Sequence, residues 1–271
     1  MNYTAANLPP VVMTFSGHDP SGGAGIQADI ETLASLGCHC TSVITAITAQ
    51  DTCNVIDWKP VEPSLVIEQA RAVLEDMPVK AFKMGMLGSV KVIEAIHTLL
   101  RDYAHIPVII DPVLAAGGGT ELTQGEFRSA LINLLLPNTK LLMPNAPEAR
   151  RLAPEADTLD SCAQFLMDAG AEFVLIKGAH EPGEKVTNRL WGAHKQLEEF
   201  SWPRLPESYH GSGCTLASAA AAFIAHGADV ISAVRDAQKF TWSSLQAGRR
   251  LGMGQIIPNR FFWAERNING P

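Results

Sequence analysis

Short apolar runs alternate along this chain with longer stretches of helical spacing. Val11 to Phe15 reads as a buried strand, and Gly23 to Leu36 then places Ile26, Ile30, Leu33 and Leu36 on one helical face before stopping at Gly37. Cys40 to Ala49 is rich in Val, Ile and Thr, as strands are. Pro63 to Glu75 predicts a helix, with Pro63 tolerated in its first turn. A strand is expected at Val79 to Lys83, and a helix at Ser89 to Tyr103 with Val92, Ile93, Ile96, Leu99 and Leu100 inward. Three further short strands follow: Pro107 to Ile110, Leu141 to Met143 and Phe173 to Ile176. Between Thr187 and Trp202 the pattern changes to a hairpin, Arg189 to Trp191 against Leu197 to Phe200. Two helices close the pattern, Gly213 to Ala225 and Val230 to Arg249. Alternation of this kind predicts an α/β fold with a mostly parallel sheet and crossover helices on both faces. No repeat, low-complexity tract or linker interrupts it, so residues 1–271 are expected to form one domain.

Composition narrows the possibilities. With 271 residues, 46% hydrophobic, the chain can bury a substantial core. Its net charge of −7 is no footprint for nucleic acid or an anionic membrane, so neither is expected as a partner. No apolar run approaches a bilayer span, and Met1 to Pro10 lacks a basic region followed by an apolar stretch. Five cysteines, an odd number without paired metal-ligand spacing, suit a reducing cytoplasm. Cys38 and Cys40 are conceivable as a metal pair, but thiols in a strand more often fill apolar space.

The candidate chemistry gathers where such folds bind ligands, beyond the carboxyl ends of the strands. Ser16, His18 and Asp19 follow the first strand, Gln50 the second, Met84 and Met86 the third, and Asp111 the fourth; Asn145 and Glu148 follow the fifth, and Lys177 the sixth. Singly, each reads equally well as a solvated loop residue or helix cap. The stretch His210-Gly-Ser-Gly-Cys214, directly before an alanine-rich helical run, is more pointed. A glycine loop that opens a helix presents unpaired N–H groups at the positive end of the helix dipole, where anions and above all phosphate bind. Cys214 stands in the first turn, where that field lowers a thiol pKa. The plainer alternative is a helix packed tightly through small residues.

A second glycine-rich string, Ser16-Gly-His-Asp-Pro-Ser-Gly-Gly-Ala-Gly-Ile-Gln-Ala-Asp29, resembles the N-terminus of the hydroxymethylpyrimidine and phosphomethylpyrimidine kinases of thiamine biosynthesis, within the ribokinase superfamily. The resemblance continues in order through Val43 to Gln50, Lys83 to Leu87, Asp111 to Val113, Pro144 to Ala149, Lys177-Gly178, His210 to Thr215 and Gln238 to Phe240. No Gly-x-x-x-x-Gly-Lys-Ser/Thr loop is present. The resemblance implies a ribokinase-like three-layer α/β/α fold and phosphorylation of a pyrimidine alcohol, then of its monophosphate, with ATP and Mg2+. It assigns Asp29 and Gln50 to the pyrimidine, Met86 and Val113 to apolar walls, and Asp111 and Glu148 to positions near magnesium. Asn145 belongs to the same Asn-x-x-Glu motif on the nucleotide side. Lys177 and Lys239 fall to the nucleotide phosphates, and Gly211, Gly213 and Cys214 to the anion hole at the transferring phosphoryl group.

Three departures from the family pattern stand out: Ser208-Tyr209 before His210, Gly117 to Gly119 after Val113, and Asn188 where an aspartate is common. A pyridoxal kinase, which shares the ring-plus-hydroxymethyl substrate shape, is the alternative enzyme. A catalytically weak pyrimidine-binding member is the alternative outside catalysis. An exposed apolar helix face would be compatible with a homodimer.

Overall fold

The computed structural model describes residues 8–114 and 125–264. The strands among them join one nine-stranded sheet, ordered β3-β2-β1-β4-β5-β6-β7-β8-β9. Strand β1 (Val11–His18) leads through helix α1 (Gly25–Ser35) to β2 (His39–Gln50), which pairs with β1 in parallel. Edge strand β3 (Val55–Pro60) returns antiparallel to β2. Helix α2 (Pro63–Leu74) then carries the chain to the other side of β1, where β4 (Val79–Met84) pairs in parallel. Helix α3 (Val90–Asp102) connects to β5 (Val108–Ile110), and α4 (Gly125–Ala130) precedes β6 (Leu141–Leu142). Helices α5 (Ala146–Leu152) and α6 (Leu159–Asp168) lead to β7 (Phe173–Ile176), the last of the parallel strands. The hairpin β8 (Lys185–Gly192) and β9 (Lys195–Pro203) adds two antiparallel strands at the far edge. Helices α7 (Ser212–Ala225) and α8 (Val230–Gln246) follow.

The order reverses between β1 and its neighbours β2 and β4, which opens a crevice at the carboxyl ends of the strands. Both sheet faces are buried. Phe15, Phe82, Met84, Ile110, Leu142 and Val174 face one core with α2, α3, α5 and α6. Val12, Ala81, Ile109, Leu141 and Leu175 face the other with Leu33 of α1 and the alanines of α7. Ala217 and Ala219 to Ala222 are wholly buried, so α7 lies close against the sheet through small side chains. The tight packing through small residues expected of this segment is therefore present. No described helix is long and apolar enough to cross a membrane.

The elements expected from hydrophobic spacing are present with small shifts at their ends, α8 closing at Gln246 rather than Arg249. Four elements were not expected. β3 carries Asp57, Lys59 and Pro60, the composition of an edge strand, and shows little apolar alternation. α4, α5 and α6 are short, and their apolar runs are correspondingly brief. Within α1 the inward face also differs: Ile30 is exposed, while Asp29 one residue earlier is wholly buried. The expected stretch Gly117 to Gly119 lies outside the described residues.

Candidate active site

The strand ends place the side chains. β5 stops at Ile110, so Asp111 emerges into the crevice; its N–H donates to Met84 O, which holds it against the end of β4. β7 stops at Ile176, and Lys177 remains tied to Pro144 O and, through its carbonyl, to Ala146 N. Lys177 Nζ donates to Asp111 Oδ1 at 2.5 Å. Helix α5 begins beside them with a reciprocal cap: Glu148 N donates to Asn145 Oδ1, and Asn145 N donates to Glu148 Oε2, both at 2.8 Å. The Asn-x-x-Glu pattern thus builds the helix start and points Glu148 inward, 7% exposed.

Electrostatics bind the three charges together. Burial pushes the Glu148 carboxyl up to about 7, Lys177 pulls it down, and Asp111 pushes it up again. Burial works against the Lys177 ammonium, but Asp111 and Glu148 outweigh it and its pKa is raised. Two carboxylates therefore share one ammonium in a poorly solvated corner, short of positive charge.

The N-terminus of α7 faces this corner. Gly211 caps α7 with φ 78°, a left-handed conformation that glycine adopts without strain. A Cβ placed on Gly211 would lie 2.0 Å from Gly23 O, so the two glycine loops are in contact. A Cβ on Gly213 would lie 3.2 Å from both Asp111 Oδ2 and Lys177 Nζ, so the first turn of α7 opens directly onto the charged cluster. Cys214 is half-buried in that turn and accepts a hydrogen bond from Gly25 N–H. The expected fall in its thiol pKa does not occur. Burial pushes the thiol up, Lys83 and Gly25 N–H pull it down, and Asp111 and Asp29 push it up further; the outcome is a raised value. Desolvation of the anion outweighs the helix dipole here.

On the other side of the crevice Met86, Val113 and Trp58 pack around Val55. Met86 and Val113 are thus brought together in one apolar patch. Gln50 ends β2 opposite Val55, beside the same patch, with its side chain half-buried. Trp58 had no signal beyond its presence in a polar stretch.

One sequence assignment is corrected. Asp29 is wholly buried and cannot meet a ligand in the crevice: its oxygens accept from Ser16 Oγ at 2.6 Å and from Lys83 Nζ and Ser218 Oγ at 2.7 Å. Lys83 is equally buried, and the pair forms the floor beneath the site. Burial opposes the Lys83 ammonium, but Asp29 overrides it and the pKa is raised. Lys239 lies on the exposed face of α8 and pairs with Asp236 at 2.9 Å, while Gln238 and Phe240 take the inward positions. Among the described residues no group of three or more His, Cys, Asp or Glu is arranged to hold a metal ion. Cys38 and Cys40 are free thiols packed in and beside β2, pushed by burial to about 11 and about 12.

Asn188, an outlier in the sequence, has a local reason. Its Oδ1 accepts from Gly178 N at 2.9 Å and its Nδ2 donates to Gln238 Oε1 at 2.8 Å. A carboxylate could accept the first bond but not donate the second. The amide thereby ties the turn after Lys177 to α8.

The sequence model for phosphomethylpyrimidine kinase matches residues 19–259. The chain is 36% identical over 253 residues to the hydroxymethylpyrimidine/phosphomethylpyrimidine kinase of Rhizobium meliloti, covering 92% of this chain and 95% of that one. It is 38% identical to the thiamine biosynthesis bifunctional protein ThiED of Geobacter sulfurreducens, but spans only 53% of that longer protein. Among solved structures, the phosphomethylpyrimidine kinase of Clostridium difficile superposes with a TM-score of 0.74 at 33% identity, covering 86% of this chain and 98% of that one. The pyridoxal kinase of Staphylococcus aureus in complex with AMP-PCP and pyridoxal superposes at 0.84, with 26% identity and 94% coverage of each chain. The ribokinase-like architecture is common to both structures, whereas the family model spans residues 19–259, from the glycine loop after β1 past the N-terminus of α7, and the Rhizobium meliloti relative is covered almost end to end: the chain belongs to the phosphomethylpyrimidine kinase family.

Proposed function

We propose that this protein uses ATP to phosphorylate the hydroxymethyl group of 4-amino-5-hydroxymethyl-2-methylpyrimidine, and then the resulting monophosphate, for thiamine biosynthesis. One observation carries the reading: the first turn of α7, left without side chains at Gly211 and Gly213, opens onto Lys177 and Asp111 beside an apolar wall of Met86, Val113 and Trp58. An anion hole, a cation and a ring-sized apolar surface are the parts that phosphoryl transfer to a heteroaromatic alcohol requires.

The residues divide the work. N–H groups of the first turn of α7 hold the transferring phosphoryl oxygens as charge builds on them. Lys177 neutralises phosphate oxygens, and Asp111 fixes its ammonium. Met86 and Val113 confine the ring, and the Gln50 amide offers a donor and an acceptor to an aminopyrimidine. The alcohol oxygen attacks the γ-phosphorus as the bond to ADP breaks. In a loose transition state its proton leaves late and can pass to an oxygen of the transferred phosphoryl group or to solvent, so a protonated Cys214 serves the attacking oxygen as a hydrogen-bond partner and not as the base. Asn145 fixes the Glu148 carboxylate. Asp111 and Glu148 suit a hydrated magnesium ion, because a dication would offset both the burial that raises the Glu148 pKa and the smaller repulsion from Asp111. Such an ion supplies charge neutralisation at the phosphates.

A specific observation keeps pyridoxal in the test: the pyridoxal kinase superposes more closely than the pyrimidine kinase, 0.84 against 0.74. Sequence identity runs the other way, 26% against 33%, and substrate choice resides in side chains rather than in the path of the backbone. The purified chain is incubated with ATP, Mg2+ and either alcohol. ADP release is measured, and the products are weighed by mass spectrometry. The proposal expects higher kcat/KM for the pyrimidine, with a monophosphate preceding a diphosphate. Preference for pyridoxal overturns the substrate, and pyrimidine binding without turnover overturns the activity.

A further inference from the structure

The two glycine loops that meet at the site are held together from behind by a residue outside both. Arg260 lies one residue beyond the segment matched by the family model. It comes from the tail after α8, yet it is 1% exposed. Its Nε donates to Thr215 Oγ1 at 3.0 Å, its Nη2 to Gly23 O at 2.5 Å, and its Nη1 to Glu31 Oε2 at 3.0 Å. Thr215 Oγ1 in turn donates to Gly211 O at 2.9 Å. The guanidinium thus spans the first turn of α7, the glycine loop after β1, and α1.

The peptide between Gly23 and Ala24 is the crossing point. A trans peptide is planar, with its carbonyl and its N–H directed oppositely. Arg260 holds the Gly23 oxygen, while Ala24 N–H donates to Asp19 Oδ2 at 2.8 Å on the other side. The same Asp19 oxygen meets His210 Nε2 at 2.8 Å, which makes a second bridge to the α7 loop. Burial pushes the Asp19 carboxyl up, but bonds from His210, Ser21 and Ala24 pull it down further. The residue that follows this clamped peptide is Gly25, whose N–H donates to Cys214. Steric contact reinforces the fit, since a Cβ on Gly23 would lie 2.1 Å from His210 Cδ2.

We propose that Arg260 is a positioning residue for phosphoryl transfer: by clamping the Gly23 carbonyl to the first turn of α7, it sets the register of the two glycine loops and hence of the N–H groups around the transferring phosphoryl. Arginine suits the task because its rigid planar fork reaches several acceptors at once, which a lysine ammonium cannot do from the same place. A misplacement of about 1 Å at such a site is enough to cost about a hundredfold in rate. The inference rests on the kinase reading for its reaction, but the geometry is independent of which alcohol is bound.

The test compares wild type, Arg260→Lys and Arg260→Ala by initial rates and denaturant unfolding under the same conditions. Variants still folded at the assay temperature are expected to lose kcat by thirtyfold or more, with KM for the alcohol within threefold. Guanidinium chloride at low millimolar concentration is expected to restore part of the Arg260→Ala rate, and potassium chloride at equal ionic strength to restore none. A purely structural arginine would lower the unfolding midpoint but leave kcat of the folded enzyme unchanged, and that outcome overturns the proposal. Should Arg260→Ala not fold, Thr215→Val removes the α7 side of the clamp and leaves the guanidinium in place. It is expected to lower kcat about tenfold, and an unchanged kcat there refutes the coupling. If wild type ignores the pyrimidine but phosphorylates another alcohol, the substrate reading fails, while the Arg260 variants still decide the positioning role with that alcohol.

Discussion

Replacing Glu148 with glutamine is expected to make the ligand-free protein more stable above neutral pH while impairing it as an enzyme. The carboxyl is raised from its ordinary 4.5 to about 7 by burial and by Asp111, against the pull of Lys177. At about 1.4 kcal/mol per pH unit, the folded state prefers the protonated form by about 3 kcal/mol. The sign follows from linkage. Between 4.5 and about 7 the folded protein binds more protons at this site than the unfolded chain, so its contribution to stability falls as pH rises and levels off above 7. Glutamine keeps the shape and can still accept from Asn145 N–H, but it does not titrate. Urea unfolding of both proteins at intervals from pH 5 to 8.5 should therefore give a difference that widens with pH in favour of the variant, by up to about 3 kcal/mol. Mg2+ with ADP should raise the unfolding temperature of wild type more than that of Glu148→Gln, and turnover of the variant should require more magnesium. Parallel stability curves over the whole range would refute the argument that Glu148 is held in an unfavourable charge environment.

Other outcomes follow from the same geometry. Asp29→Asn should cost about 3–5 kcal/mol of stability because it strands the buried Lys83 charge, with partial recovery in the Asp29→Asn, Lys83→Met double variant; a loss under about 1 kcal/mol by urea titration would return Asp29 to the ligand surface. Gly211→Ala places a methyl against Gly23 O in a left-handed backbone, and should lower kcat by about two orders of magnitude, the cost of losing one anion-hole donor; wild-type kcat would mean that α7 does not hold the phosphoryl. Alkylation of Cys214 should accelerate steadily with rising pH through and beyond 8, since the thiol is held neutral, and bound pyrimidine should slow it; a rate already level below pH 7 would show a resident thiolate. Gln50→Leu should weaken pyrimidine binding in calorimetry while leaving ATP affinity within threefold, and equal pyrimidine affinity would remove Gln50 from the site.

The parallel core was legible because its strands are short, wholly apolar runs punctuated by helices, as in Val11 to Phe15 and Phe173 to Ile176. The elements missed were those whose apolar signal is weak: the edge strand at Val55 to Pro60, and α6, whose cap, Thr158 accepting from Ser161 N, could have marked its start. At the site, Asp111, Asn145, Glu148 and Lys177 could be placed because each follows a strand, and the end of a parallel strand is a fixed position in the fold. Gly211, Gly213 and Cys214 were legible for the related reason that glycines before a strong helix former expose N–H groups.

The sequence by itself determined the core strands and the longer helices, their parallel pairing, and the rank of polar residues along one edge, since these depend on local periodicity and on where strands stop. Only the tertiary structure decided what those residues do to one another. An aspartate in a helix reads alike whether it faces ligand or core, and packing put Asp29 against Lys83, Ser16 and Ser218 instead of the crevice. The rotation of α8 likewise decides that Gln238 and Phe240 face inward while Lys239 is exposed beside Asp236. The Cys214 pKa is set by burial and by Lys83, Asp111, Asp29 and Gly25 N–H, all brought to it from other segments by the fold. Arg260 carried no local pattern at all; its bonds to Thr215, Glu31 and Gly23 join segments 45, 229 and 237 residues away, and contacts of that range exist only once the chain has folded.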